Sequence, residues 1–174
     1  MRRPKLEISA GGVLLLAALI FILTADELTA LALAVLAHEA GHAAAIYLTG
    51  GRVTALRLAV TGPVICRTGG TDGAREAFCA LAGPLAGLMY AIVSAERLPL
   101  SAGMSLVLSA FNSLPALPLD GGRALAALAG ERAAGTVSFF ASAALLIAGT
   151  ALAAAGFGFA ALIAGAALCL MQWR

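Results

Sequence analysis

The chain has 174 residues, of which 61% are hydrophobic and 11% charged, with a net charge of +2 at pH 7. A soluble domain carries about twice that charged fraction, so the composition excludes an ordinary soluble fold and points to an integral membrane protein. The eleven basic residues are scattered, which gives no patch for nucleic acid, and the three cysteines (Cys66, Cys79, Cys169) lack CxxC spacing, which argues against a disulfide framework.

Arg2, Arg3 and Lys5 precede an apolar run over residues 8–24. The run is longer than the core of a secretory signal, and no A-x-A site follows it, so it reads as a retained first membrane helix. The next segment, Thr24-Ala25-Asp26-Glu27, is a short acidic turn. Thr24 or Asp26 there can cap a second helix, Leu28 to about Thr49, which Gly50-Gly51 ends. From Arg52 to Arg67 polar and apolar residues partly alternate around a Thr61-Gly62-Pro63 turn signal. This predicts a small hairpin or two short strands at the membrane surface, because an open sheet edge cannot face lipid.

Asp72 can cap a third helix, about Gly73 to Ala95, whose Ala82-Gly83-Pro84-Leu85-Ala86-Gly87 stretch predicts a proline kink and close helix packing. A fourth apolar segment, Ser101 to Leu114, runs into Asn112-Ser-Leu-Pro115-Ala-Leu-Pro118-Leu-Asp120-Gly-Gly122. Prolines and glycines break the helix there, and non-helical backbone at membrane depth is tolerated only inside protein or beside a cavity. Asp120, carried in that break, therefore marks a buried polar site. Helical composition resumes from Arg123 to about Gly130, and two more apolar segments follow, 133–155 and 156–171.

The expected fold is an all-α polytopic membrane protein of about six transmembrane helices, with a small β hairpin or strand element after the second helix. It forms one domain over residues 1–174, with a core at about 28–130 flanked by helices 8–24, 133–155 and 156–171. Six helices with both termini in the cytoplasm place Arg2, Arg3, Lys5, Arg52, Arg57, Arg67, Arg75, Arg123, Arg132 and Arg174 inside and only Arg97 outside, ten of the eleven basic residues. The expected location is a prokaryotic cell membrane.

The second helix carries His38-Glu39-Ala40-Gly41-His42. Residues i and i+4 share a helix face, so two imidazoles can bind one zinc ion, and the adjacent Glu39 can act as a general base on the water that zinc activates. Ionisable groups at membrane depth are costly and functional by default. A catalytic zinc usually has three protein ligands. Both histidines of the chain are already used, and Asp120 is the best third candidate; Asp72, Glu76 and Glu96 fall near helix ends. Asn112 can donate to a substrate carbonyl or oxyanion. The reaction class is peptide-bond hydrolysis in or near the bilayer, with one Zn2+ per chain.

HEAGH together with NSLPALPLDGG resembles the site-2 protease family of intramembrane zinc metalloproteases. That family has HExxH on one membrane helix and N-x-x-P-x-x-P-L-D-G on a later one, and Pro115, Pro118, Leu119, Asp120 and Gly121 stand in register with it. The helix plan and surface β element look like the sporulation-type branch, which cleaves pro-sigma factors. The resemblance implies His38, His42 and Asp120 as zinc ligands, Glu39 as catalytic base, and a membrane-embedded or membrane-associated protein as substrate. It also implies that Arg52, Val53, Thr54, Ala55, Leu56, Arg57 and Leu58 pair with an extended substrate strand. The family's G-P-x-x-N is Gly83-Pro84-Leu85-Ala86-Gly87 here, so an asparagine is missing at Gly87. An inactive membrane scaffold or chaperone of the same fold is the main alternative, against which the intact Glu39 argues. A metal transporter is a third reading, disfavoured because the polar residues gather at one depth.

Overall fold

The computed structural model describes residues 5–59, 62–68 and 72–172. Among them are β1 (Lys5–Ile8), α1 (Ala10–Ile22), α2 (Ala25–Leu48), β2 (Arg52–Ala59), β3 (Gly62–Thr68), α3 (Gly73–Ser94), α4 (Pro99–Asn112), α5 (Asp120–Ala129), α6 (Glu131–Ala154) and α7 (Ala160–Gln172). The chain falls into two compact units, Met1–Ala110 and Phe111–Arg174. Arg2, Arg3 and Arg174, invoked above for orientation, and Thr61 of the turn signal lie outside the described residues.

What is buried is small. Ala34, Ala80, Ala134, Ser105, Ser138 and Ser142 are almost fully shielded, whereas Phe21, Phe140, Ile147, Phe157 and Leu170 are exposed. A soluble protein sorts its side chains the other way. In lipid, large apolar side chains gain nothing by turning inward, and small ones let helix backbones approach. The protein is therefore a membrane protein. Among the described residues, α2, α3 and α6, of 24, 22 and 24 residues, are long and apolar enough to cross a bilayer. The other apolar helices are shorter: α1 and α7 have 13 residues and α4 has 14. A 13-residue helix spans roughly 20 Å, less than the ~30 Å hydrocarbon core.

In the first unit, α2 begins on a capping box. The Thr24 side chain accepts from the Glu27 N–H, and the Glu27 carboxylate accepts from the Thr24 N–H at 2.8 Å. Gly50, at φ +81°, ends the helix. Asp72 caps α3, accepting from the Arg75 N–H at 3.0 Å. Ser101 of α4 donates to the Ala30 carbonyl of α2 at 2.9 Å and lies 2.8 Å from the Tyr90 hydroxyl of α3, so these three helices are tied together by polar contacts.

The sheet has three strands in the order β1-β2-β3. β3 is the expected antiparallel partner of β2, with a register shift between Val53 and Ala55. β1 is an addition to the expected hairpin. It pairs parallel with β2, from Lys5↔Ala55 to Ile8↔Leu58. Arg57 donates twice to the Glu7 carboxylate, at 3.0 and 2.7 Å. Those bonds and the charge of Glu7 push the Arg57 pKa further up. Ala45, Ile46 and Cys79 form an apolar cluster, with Val53, Ile65 and Ala82 packed on it. The sheet is thus seated on the C-terminal half of α2 and the N-terminal half of α3.

In the second unit, residues 113–119 form the expected irregular connection, with a cis Leu117–Pro118 peptide. Helix α5 starts at Asp120, three residues earlier than the composition predicts. The early start is possible because no proline lies beyond 118, and a carboxylate in a first turn meets unpaired N–H groups and the positive end of the helix dipole. The glycines after it are needed for space. A Cβ on Gly121 would lie 2.2 Å from the Ser113 carbonyl oxygen, and one on Gly122 would lie 2.5 Å from the Ala116 carbonyl carbon.

Candidate metal centre

His38 and His42 lie mid-way along α2, only 5% and 8% exposed. Their Nε2 atoms are 3.2 Å apart, and the ring planes are nearly perpendicular, at 82°. His42 Nδ1 is 2.8 Å from the Cys79 carbonyl oxygen of α3. A carbonyl can only accept, so Nδ1 carries the proton and donates. In the neutral ring the lone pair is then on Nε2, facing His38. A backbone carbonyl holding the far nitrogen is how a protein fixes a metal-binding imidazole in one tautomer and one orientation.

Gly83 lies one turn beyond Cys79 on α3. A Cβ there would sit 2.2 Å from His42 Nε2, so glycine is the residue that lets the imidazole lie against α3. Gly41 plays the matching part on α2: a Cβ on it would lie 2.4 Å from the Ala82 carbonyl oxygen. Two neighbouring glycines therefore set the close approach of the two helices at the histidine pair.

The residues fit a zinc ion. Two nitrogens each about 2.0–2.1 Å from zinc at a tetrahedral angle stand roughly 3.3–3.4 Å apart, close to the observed Nε2 separation. Neutral imidazole nitrogens with a carboxylate as third ligand are a common catalytic zinc set.

The other expected site residues are placed as follows. Glu39 follows His38 on α2, about 100° further round the helix by its 3.6-residue turn, and is half-buried. Asp120 is the first residue of α5, 6% exposed, and its Oδ1 accepts from Arg123 Nη1 at 3.2 Å. Among the described residues, the buried side chains of the Asp, Glu, His, Lys and Arg types are His38, His42 and Asp120 alone. Asn112 is half-buried at the last position of α4.

The expectation for Arg52 to Leu58 needs correcting. β2 is the central strand, and from Ala55 to Leu58 both of its edges are occupied, by β1 on one side and β3 on the other. A strand with both hydrogen-bonding edges filled has no donors or acceptors left for a third partner. Any strand addition to this sheet must use an outer edge or the β2 edge beside Arg52, Val53 and Thr54.

The missing asparagine at Gly87 also has a physical account. A Cβ at this position would lie 2.3 Å from Ser109 Oγ, and Ser105 Oγ donates to the Gly87 carbonyl at 2.9 Å. Two α4 hydroxyls fill the space that a longer side chain on α3 would need. Cys79 and Gly83 carry no sign of the site in the sequence. Gly83 stands in a run of small residues that reads as a packing kink, and the Cys79 contribution is a backbone carbonyl, which carries no sequence signal.

Fold and site together define the class: a polytopic helical membrane protein with a buried histidine pair suited to a metal ion. Among solved structures, the chain matches the Site-2 Protease from Methanocaldococcus jannaschii at a TM-score of 0.69 and 20% identity, over 96% of this chain and 88% of that one. The fold is thus that of a site-2 protease, as HEAGH and NSLPALPLDGG imply. No protein-family model and no curated protein matches the chain.

Proposed function

We propose that the chain is an intramembrane zinc metalloprotease, a single catalytic domain over residues 1–174, that hydrolyses peptide bonds of transmembrane or membrane-associated proteins. One observation carries the reading: two buried imidazoles converge through Nε2, one of them locked in tautomer by a carbonyl, on the fold of a site-2 protease. His38, His42 and Asp120 would hold the zinc. When bound, zinc polarises a carbonyl and lowers the pKa of water to about 7.

The chain's own groups do the rest. Glu39 accepts the proton of the attacking water and delivers it to the leaving amine. Asn112 donates to the substrate carbonyl, where negative charge develops. The histidines are buried, and a low dielectric strengthens polar interactions made beside them. The six-helix arrangement expected from sequence would need the shorter helices α1, α4 and α7 to complete the set begun by the three long spans.

The test is the zinc content of detergent-purified protein, followed by cleavage of a membrane substrate. We expect about one zinc per chain, lost or weakened in His38→Ala and in Asp120→Ala. Glu39→Gln should keep its zinc and lose cleavage by roughly 10²–10⁴-fold. Zinc retained undiminished in Asp120→Ala would remove that residue from the ligand set. Cleavage surviving in Glu39→Gln would overturn the enzyme mechanism.

A further inference from the structure

The connection that leads into Asp120 has few internal bonds. Pro115 and Pro118 have no N–H to give. The Ala116 N–H goes to the Leu114 carbonyl and the Leu119 N–H to the Ala116 carbonyl, both at 2.8 Å. The Leu117 N–H does something different: it crosses to another element and donates to Ser138 Oγ of α6, at 2.7 Å. Ser138 is 1% exposed, so the hydroxyl that takes this amide is itself shielded. On the same side, Leu117 and Pro118 border a cavity of about 480 Å³ that Gly135, Phe139 and Met171 also line. The loop is therefore not packed solid where the hydroxyl holds it.

Ser138 is itself braced. Gln172 of α7 donates through Nε2 to the Ser138 carbonyl at 3.1 Å and to the Ser142 hydroxyl. Ser138 and Ser142 are one turn apart on α6 and equally buried. Both meet the glutamine, but Ser138 alone of the two bonds to the loop. This polar chain ends three residues before Asp120.

We infer that Ser138 is a positioning residue for the metal site: its hydroxyl, through the Leu117 N–H, fixes the loop that sets Asp120, and Gln172 braces it from α7. The inference rests on Asp120 being a metal ligand, as proposed above. A carboxylate ligand held by a fixed loop meets the ion without first being ordered, and loss of such outer supports weakens metal affinity by roughly 10–100-fold.

The experiment measures zinc affinity of the full chain in detergent, by competition with a chromophoric chelator. It compares wild type, Ser138→Ala and Ser142→Ala, and reads amide hydrogen exchange over residues 113–122. Ser138→Ala should weaken zinc about tenfold or more and speed exchange at Leu117, with Ser142→Ala matching wild type in both. Equal loss in the two variants would mean a general packing effect, and zinc affinity unchanged in Ser138→Ala would mean no positioning role; either overturns the inference while leaving the metal site intact. If Ser138→Ala does not fold, wild type decides: a protected Leu117 amide supports the clamp, and a fast-exchanging one overturns it. Absence of zinc from wild type would overturn the metalloprotease reading, and the positioning role with it.

Discussion

At the scale of single residues, the centre is set by what is left out as much as by what is present. His42 can turn its Nε2 toward His38 because position 83 has no side chain and because the Cys79 carbonyl takes the proton on Nδ1. Gly83→Ala tests this directly. The added Cβ would stand 2.2 Å from Nε2, and the obstacle is a ring pinned at its far nitrogen, so the imidazole must rotate or α3 must move away. We expect zinc affinity to fall at least about tenfold, as for other losses of ligand orientation, with helical content by circular dichroism unchanged. Wild-type affinity in Gly83→Ala would show that the ring does not need this face of α3. Neither partner of His42 has a signature in the sequence. HEAGH announces the two ligands, but a backbone carbonyl looks the same at every residue, and a glycine within Ala82 to Gly87 is indistinguishable from one that serves helix packing.

At the scale of elements, helix α2 carries the centre and its start is defined by local chemistry. The Thr24 and Glu27 bonds satisfy N–H groups that no earlier turn of helix can reach. Thr24→Ala should lower stability by about 1 kcal/mol, read from unfolding in mixed detergent, with zinc content unaffected because the cap lies more than three turns from His38. An equal loss of zinc would show that the helix frays as far as the site. Such signals are local, and so the helix starts at α2 and α3, the β2–β3 pair and the break before Asp120 could all be read from sequence. The strand β1 could not. Lys5-Leu6-Glu7-Ile8 does alternate, but four residues after a basic start read as the flank of a membrane helix, and its partner Ala55–Leu58 is some fifty residues away. Parallel pairing across that separation depends on where α1 and α2 return the chain. The same long-range fact, β2 becoming a central strand, is what removes Ala55 to Leu58 as a docking edge for a substrate.

At the scale of the whole molecule, the composition sorts by solvent: alanine, glycine and serine inside, leucine, isoleucine and phenylalanine outside. With lipid as solvent, burial of large apolar groups does not drive helices together, so close backbone approach and buried polar contacts carry more of the stability. A bound metal adds to this balance because it is taken up by the folded chain. The proposed ligands are His38, His42 and Asp120. Zinc should therefore stabilise the folded form, by RT ln(1 + [Zn]/Kd), or about 2.7 kcal/mol at a free concentration of 100 Kd. Thermal unfolding in detergent with free zinc, and again after chelation, should show a lower melting temperature without the metal. Asp120→Ala should melt like the chelated wild type and respond little to zinc. That variant separates a three-ligand site from one that the histidine pair forms alone: if it melts at the wild-type temperature and gains as much from zinc, Asp120 contributes nothing to binding and the third ligand must be sought elsewhere.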